Sequence, residues 1–373
     1  MNEPAFVVVF PSIFAKNKQS LLISNIKKIL KIQNLSFGKI IPDEDIITIE
    51  ANDPVFASSA INLLFGISQV SIAKRVENRF DVVVPAIAKI GANLLLQAEQ
   101  FYVKVDGHST GYLPKDVEIA ATGALIEKTV EMECRPGTER KHDKLIHCYL
   151  TKKNAYVSIF VENGHGGVPY NSQGEQILCA IYDELSAVSC LEAIKQGFDV
   201  RILVCYDTDA NLMELVKIIN RIIPRTLKAD VTLDFVSIPI KQDNSKSLQQ
   251  KILATTGVLC NIAKKEKIGR ICLALSPLAF PAWIIQQNID AVTKNRLVPW
   301  VALAGLDDSI ISTAKEIGLG KYLHKIEKFG KLKFAKTSFD VSSMIQKGTK
   351  NRQTITIRIG PNNIHDILDS VNH

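Results

Sequence analysis

No stretch of the sequence is apolar for long enough to cross a bilayer. The run over residues 82–90 is broken by Pro85 and Lys89 and falls far short of the roughly 20 residues a membrane helix needs, so no membrane partner is expected. The opening residues Met1, Asn2, Glu3 and Pro4 lack the basic, then apolar, then small order of a secretory signal; a cytoplasmic location is expected. Cysteine is scattered: the seven, at positions 134, 148, 179, 190, 205, 260 and 272, include no CxxC pair. A chain of 373 residues does not need disulfide staples. Most of these cysteines sit in apolar strand or helix patterns, where the thiol acts as a small hydrophobe. Internal repeats and low-complexity tracts are absent too. His108 and His165 lie in glycine-containing loops without a partner at ligand spacing, which leaves no metal site to propose.

The sequence has enough length for two or three domains, and its 46% hydrophobic and 22% charged residues are ordinary for a globular protein. The net charge of +7 is unevenly placed. From Lys321 onward there are ten basic residues (Lys321, Lys325, Lys328, Lys331, Lys333, Lys336, Lys347, Lys350, Arg352, Arg358) against four acidic ones (Glu327, Asp340, Asp366, Asp369). Such a patch attracts anionic partners, of which nucleic acid is the commonest large one.

Hydrophobic periodicity predicts a strand at 5–11, a helix at 16–31, strands at 39–41 and 45–50, a helix at 55–64 opened by Pro54, and a strand at 67–76. This β-α-β-β-α-β order is ferredoxin-like. A second unit follows, with helices at 81–97 and 115–128 and strands at 101–105, 130–134, 144–151 and 155–162. A linker rich in Gly, Pro, Asn and Ser spans 163–174. From Glu175 the pattern becomes strict β/α alternation, with strands at 176–181, 199–205, 230–239, 270–275 and 297–303. Helices are expected between and after them at 186–196, 210–223, 247–266, 281–292 and 308–317. That alternation indicates a doubly wound parallel sheet. The expected fold class is therefore α/β: an N-terminal α+β part followed by a Rossmann-like domain.

Three segments resemble the tRNA 4-thiouridine synthetase (tRNA sulfurtransferase) family. Phe10-Pro11-Ser12-Ile13-Phe14-Ala15-Lys16-Asn17-Lys18, with Ser24-Asn25-Ile26-Lys27-Lys28, is similar to the start of its N-terminal ferredoxin-like domain. Leu64-Phe65-Gly66-Ile67-Ser68-Gln69-Val70-Ser71 resembles the strand that leads into its THUMP domain. Gly164-His165-Gly166-Gly167-Val168-Pro169, continuing to Gly174, resembles the segment that links THUMP to the PP-loop ATPase domain. The resemblance implies a ferredoxin-like domain at 1–76, a THUMP RNA-binding domain at 77–170, a PP-loop ATPase-like domain at 175–320 and a basic tail at 321–373 without a clear match. It implies tRNA as the partner, with a tRNA-modifying or sulfur-carrier protein as a further candidate partner. It leaves a homodimer open.

The catalytic parts of the resemblance are missing. A PP-loop is a Ser-Gly-Gly-x-Asp-Ser turn whose glycines let backbone N–H groups close around a pyrophosphate at a helix N-terminus. Here the turn falls on Ile181-Tyr182-Asp183-Glu184-Leu185-Ser186, where only Ser186 survives. Asp183 and Glu184 put carboxylates where the anion would sit; like charges about 4 Å apart repel by roughly 4 kcal/mol at an effective dielectric near 20. The same acids also read as ordinary helix caps. The family's Gly-Glu-x-Leu-Gly-Gln signature falls on residues 275–280, where only Leu278 matches, and residues 206–259 contain no cysteine. The rhodanese-type domain that long members use as a sulfur carrier is not found. No catalytic residue is assigned, and whether the chain is an enzyme is left open. The expectation is a non-catalytic or accessory tRNA-binding protein with a degenerate nucleotide loop and no cofactor. ATP enters only under the alternative of an active uridine 4-sulfurtransferase with a divergent site.

Candidate RNA contacts are Lys16 and Lys18 before the first helix, Arg135, Arg140, Lys141 and Lys144 in a basic hairpin, and Lys152 and Lys153 in the next turn. Loops with several positive charges suit phosphate contact, which shape-directed RNA binding chiefly needs. Tyr322, Phe329 and Phe334, interleaved with the tail lysines, could stack on bases or pack the tail against the sheet. A third reading places another ligand at the switch point of the parallel sheet, near Ser186, Asp207, Thr208 and Asp209; those residues also suit a turn and helix cap.

Overall fold

The computed structural model describes residues 5–240, 244–302, 306–360 and 363–372. Residues 1–4, read above for a signal, and Leu303, expected to end the last parallel strand, lie outside the described residues. The chain divides into two units, Met1–Gly166 and Gly167–His373.

The first unit runs β1 (Ala5–Pro11), α1 (Gln19–Ile32), β2 (Phe37–Asp43), β3 (Ile46–Ala51), α2 (Pro54–Asn62), β4 (Ile67–Glu77), α3 (Phe80–Leu94), β5 (Gln100–Gly107), α4 (Pro114–Lys128), β6 (Arg135–Pro136), β7 (Lys144–Leu150) and β8 (Asn154–Gly166). Its first six elements make the β-α-β-β-α-β order, with β1 antiparallel to both β3 and β4. The local causes are plain. In α1 the residues Leu22, Ile26, Ile29 and Leu30 are buried and Lys27, Lys28 and Lys31 are exposed, as an amphipathic stripe requires. In α2 the Asp53 carboxylate caps the helix by accepting from Val55 N at 3.0 Å and Phe56 N at 3.1 Å, with Pro54 at the first turn.

All eight strands join in one sheet, in the order β2-β3-β1-β4-β8-β7-β5-β6. The joint is the β4–β8 ladder, which runs from Ile67 opposite Gly166 to Glu77 opposite Asn154. The boundary expected at residue 76 therefore falls inside a continuous sheet. Gly164, in the expected linker, is part of β8; a Cβ there would lie 2.4 Å from the carbonyl oxygen of Ile67, so the close approach of the two strands requires glycine. The sheet curls. Asp43, at the end of β2, accepts from Tyr156 Oη at 2.6 Å, Asn154 Nδ2 at 3.0 Å and Thr151 Oγ1 at 3.1 Å, which brings the β2–β3 turn onto the β7–β8 turn. Phe6, Val8, Ile46, Ala73 and Tyr156 pack as one core cluster, and α3 and α4 cover a second built on Val103, Val105, Ile146 and Cys148.

The strand expected at 130–134 does not form. Residues Val130–Met132 make a 3-10 turn continuing from α4, and Glu133 adopts φ 55°. The apolar residues that suggested a strand are used otherwise: Met132 packs against the α3–α4 core, and its carbonyl accepts from Ala98 N at 2.8 Å. Pairing with β5 begins only at Arg135.

The second unit runs β9 (Gln176–Ile181), α5 (Glu184–Lys195), β10 (Asp199–Tyr206), α6 (Asp209–Ile222), β11 (Asp230–Ser237), α7 (Ser245–Glu266), β12 (Arg270–Leu273), α8 (Ala282–Lys294), β13 (Val298–Val301), α9 (Asp308–Glu316), α10 (Tyr322–Gly330), α11 (Ser342–Lys350), β14 (Gln353–Arg358) and α12 (Asn363–Asn372). The sheet order is β13-β12-β9-β10-β11-β14, parallel from β13 to β11 and closed by the antiparallel edge strand β14. The fold class is thus mixed α/β with a largely parallel sheet. All seven cysteines are free and buried, and no helix among the described residues is long and apolar enough to cross a membrane.

The described residues of 321–373, the segment expected as a tail, are built into this unit. The aromatics Tyr322 and Phe329 are buried, and Phe280 meets Phe329 at 5.8 Å and Phe334 at 5.9 Å between ring centroids. Strand β14 is held from its end: Arg352 and Arg201 both reach Asp234, which is fully buried, and Glu266. The aromatics pack the segment down while Lys321, Lys328, Lys331, Lys333 and Lys336 stay exposed, the second of the two readings weighed for them.

Candidate nucleic-acid interface and nucleotide loop

Strand β9 lies between β10 and β12, where the winding direction of the sheet reverses. Crevices at such a point, past the carboxyl ends of the strands, are where sheets of this kind bind ligands. The turn at the end of β9 is Tyr182-Asp183, leading into α5.

That turn closes on itself. Asp183 is the helix cap in an extended conformation, φ −167°, and no residue from Tyr182 to Ser186 has a positive φ. The Asp183 Oδ1 accepts from Ser186 N and Ser186 Oγ, each at 2.9 Å. The Ser186 hydroxyl oxygen in turn accepts from Tyr182 N and Asp183 N, each at 2.9 Å. Three backbone N–H groups that a phosphate-binding turn would offer to an anion are consequently spent on the capping box. Tyr182, Asp183, Leu185 and Ser186 are buried and Glu184 is half-buried. Burial pushes the Asp183 carboxyl above its ordinary range, against the smaller opposing pull of the Ser186 hydrogen bonds and the Lys325 charge. Glu184 pairs with Lys325 at 3.7 Å.

The other polar residues near the switch point are caps and pairs as well. Thr208 caps α6 by accepting from Asn211 N at 3.2 Å, and Asp207 holds Lys251 at 3.2 Å. Lys251 escaped the sequence reading. It follows Leu248 and precedes Ile252 on the buried face of α7 and is 1% exposed, a placement that marks a charge needing a partner. Lys217 and Arg221 of α6, one helical turn apart, were also not singled out.

The basic residues of the first unit fall into two groups. Lys16 and Lys18 follow β1, whose Pro11 is opposite Ile67 at the start of β4, itself opposite Gly166 at the end of β8. Lys144 begins β7 opposite Phe101 near the start of β5, beside Arg135. These residues lie at one end of the sheet. Lys152 and Lys153 lie at the other end, past Leu150 of β7, and are roughly 20 Å away along a seven-residue strand. Lys16, Arg135, Arg140, Lys141, Lys152 and Lys153 are exposed, and Lys18 and Lys144 are half-buried. His142, between the cationic residues of the turn, donates from Nδ1 to Thr138 O at 3.0 Å and packs on Tyr102 at 5.8 Å. The Thr138–Lys141 bridge closes the turn, so its charges project from an ordered hairpin.

No family profile matches the sequence, and no curated relative matches it. Solved structures do. The crystal structure of PH1313 from Pyrococcus horikoshii Ot3 matches at 17% identity with a TM-score of 0.61, over 84% of this chain and 99% of that one. The structure of a 4-thiouridine synthetase–RNA complex with bound ATP matches at 14% identity with a TM-score of 0.66, over 95% of this chain and 100% of that one. At such identities the likeness is one of fold: across both units, this chain is folded like the 4-thiouridine synthetase.

Proposed function

We propose that the chain is a tRNA-binding protein that serves tRNA modification, of the thiolation type, without performing ATP-dependent chemistry of its own. The observation that carries this reading is the closed Tyr182–Ser186 turn, set in a fold like that of a synthetase solved with RNA and ATP. A pyrophosphate would have to displace three internal hydrogen bonds and approach two carboxylates. The RNA-contacting surface is the end of the first sheet that carries Lys16, Lys18, Arg135, Arg140, Lys141 and Lys144. Lys152 and Lys153 reach only a ligand long enough to follow the strands to their other end. The second unit serves as a scaffold, and the modification is completed by a partner enzyme or sulfur carrier.

Fluorescence anisotropy with labelled tRNA across a salt series tests the binding half. Affinity should fall steeply with salt, and the charge reversals Arg140→Glu and Lys141→Glu should flatten the slope by about one unit per lost phosphate contact. Absence of binding at low salt removes the reading. Incubation of protein, tRNA and ATP tests the second half: ATP-dependent pyrophosphate release would make the chain a sulfurtransferase with a divergent site.

A further inference from the structure

A cleft of about 610 Å³ in the second unit is lined by residues of α6 and α10 and, at one end, by Tyr182, Asp183 and Glu184 of the closed turn. Its volume suits a small molecule. Its upper end holds Asp183, Glu184, Asp207, Lys251 and Lys325, its lower end Lys217, Arg221 and Lys321, and Glu214 of α6 lines the stretch between Asn211 and Lys217.

The charges of the upper end are largely matched, Lys251 with Asp207 and Lys325 with Glu184. Those of the lower end are not. Among the described residues no carboxylate reaches salt-bridge distance of Lys217, Arg221 or Lys321. Arg221 is held in place by donating from Nη1 to Gly318 O at 2.6 Å. Gly318, at φ +74°, makes room for it, since a Cβ there would lie 2.7 Å from that same nitrogen. The guanidinium is thus fixed by one of its donors, leaving Nε and Nη2 for an anion. Lys217 and Arg221 share a face of α6 at a spacing of four residues, and Lys321 follows Gly318 in the facing loop. Two independent features at the upper end also call for a ligand. Lys251 is 1% exposed with one hydrogen-bond acceptor, Asp207, for three N–H groups. Asp183, 5% exposed, has its Oδ2 buried without a hydrogen-bond partner.

We infer that this cleft binds a small phosphomonoester carrying hydroxyl groups. The phosphate is seated on Lys217, Arg221 and Lys321, and the hydroxyl-bearing end points toward Asp183 and Lys251. Lys217 and Arg221 lie roughly 9–15 Å along α6 from Asn211 in its first turn, at 1.5 Å per residue. A dianion of this kind is neutralised by charge-assisted hydrogen bonds. The hydroxyls supply what the buried ends lack, a donor for Asp183 and an acceptor for Lys251. The inference does not depend on RNA binding by the first unit.

Isothermal titration calorimetry with ribose 5-phosphate, ribose and inorganic phosphate tests it on the full chain. Ribose 5-phosphate should bind, inorganic phosphate more weakly, and ribose not at all. The double variant Lys217→Gln/Lys321→Gln removes two exposed side chains without ion-pair partners, so it should fold normally and weaken ribose 5-phosphate binding about tenfold or more. Gly318→Ala, which displaces the guanidinium, should weaken it as well. No binding of ribose 5-phosphate at 10 mM, a concentration on the order of the weakest ligands of interest, overturns the inference. So does binding that the double variant leaves unchanged. A double variant that loses affinity for tRNA while ribose 5-phosphate gives no signal would also overturn it, assigning these cations to an RNA phosphate.

Discussion

Replacing Ser186 with alanine should destabilise the second unit by roughly 2–4 kcal/mol. The hydroxyl oxygen accepts from Tyr182 N and Asp183 N at 2.9 Å each, and Ser186 itself is 1% exposed. Alanine leaves two buried N–H donors without an acceptor, and each such group costs about 1–3 kcal/mol; partial entry of water keeps the sum toward the lower part of that range. The Asp183 Oδ1 to Ser186 N bond survives, so the helix keeps half of its capping box. The assay is urea unfolding followed by tryptophan fluorescence. Both tryptophans of the chain, Trp283 and Trp300, belong to the second unit, so the signal reports that unit alone. With a slope of about 1–3 kcal/mol per molar urea, the midpoint should drop by on the order of 1 M. A shift below about 0.3 M, less than the effect of an ordinary surface substitution at that slope, would refute the argument. It would mean that the turn can give up its hydroxyl and that its N–H groups are free to receive an anion.

Asp183→Asn keeps the capping oxygen and removes a buried charge, so it should stabilise the unit at neutral pH. The folded chain holds the Asp183 proton above the ordinary value of 3.8. Wild-type stability should therefore decline as pH rises from there through the raised folded value, and the difference between the two proteins should close below it. Urea midpoints between pH 3 and 8, a span of roughly five units around the window set by that shift, check the sign. Arg201→Met leaves the fully buried Asp234 with Thr354 and Arg352 in place of its 2.8 Å guanidinium contact. The loss should be about 3–5 kcal/mol, seen by tryptophan fluorescence and by faster amide exchange over β14. Gly164→Ala drives a Cβ to 2.4 Å from Ile67 O and should lower the thermal midpoint of the first unit, leaving the tryptophan-reported transition unchanged.

How far the sequence reaches depends on whether a feature is local. Periodicity alone placed β1 and β9 to the residue and gave α4 and α7 to within two, because hydrophobic periodicity acts over one or two turns of chain. The replacement of both glycines by Tyr182 and Asp183 was legible for the same reason: it is a property of adjacent residues. What the turn does instead was one of two readings. The tertiary structure chose the capping box by burying Ser186, since a buried hydroxyl must find partners. Other features lay beyond local pattern. Residues 130–134 carry strand-like residues, but Met132 and Cys134 serve the α3–α4 core, and β14 hides in a basic segment because it is an edge strand, made acceptable by Arg201 and Arg352 meeting Asp234 across distant positions. The grouping of Lys16 and Lys18 with the 135–144 hairpin, and the separation of Lys152 and Lys153 from it, follow from sheet order. So does the convergence of Lys217, Arg221 and Lys321 on one cleft. A sequence determines which residues carry charge and which segments can be buried; only the folded chain decides which charges become neighbours, because that depends on pairings between residues far apart along it.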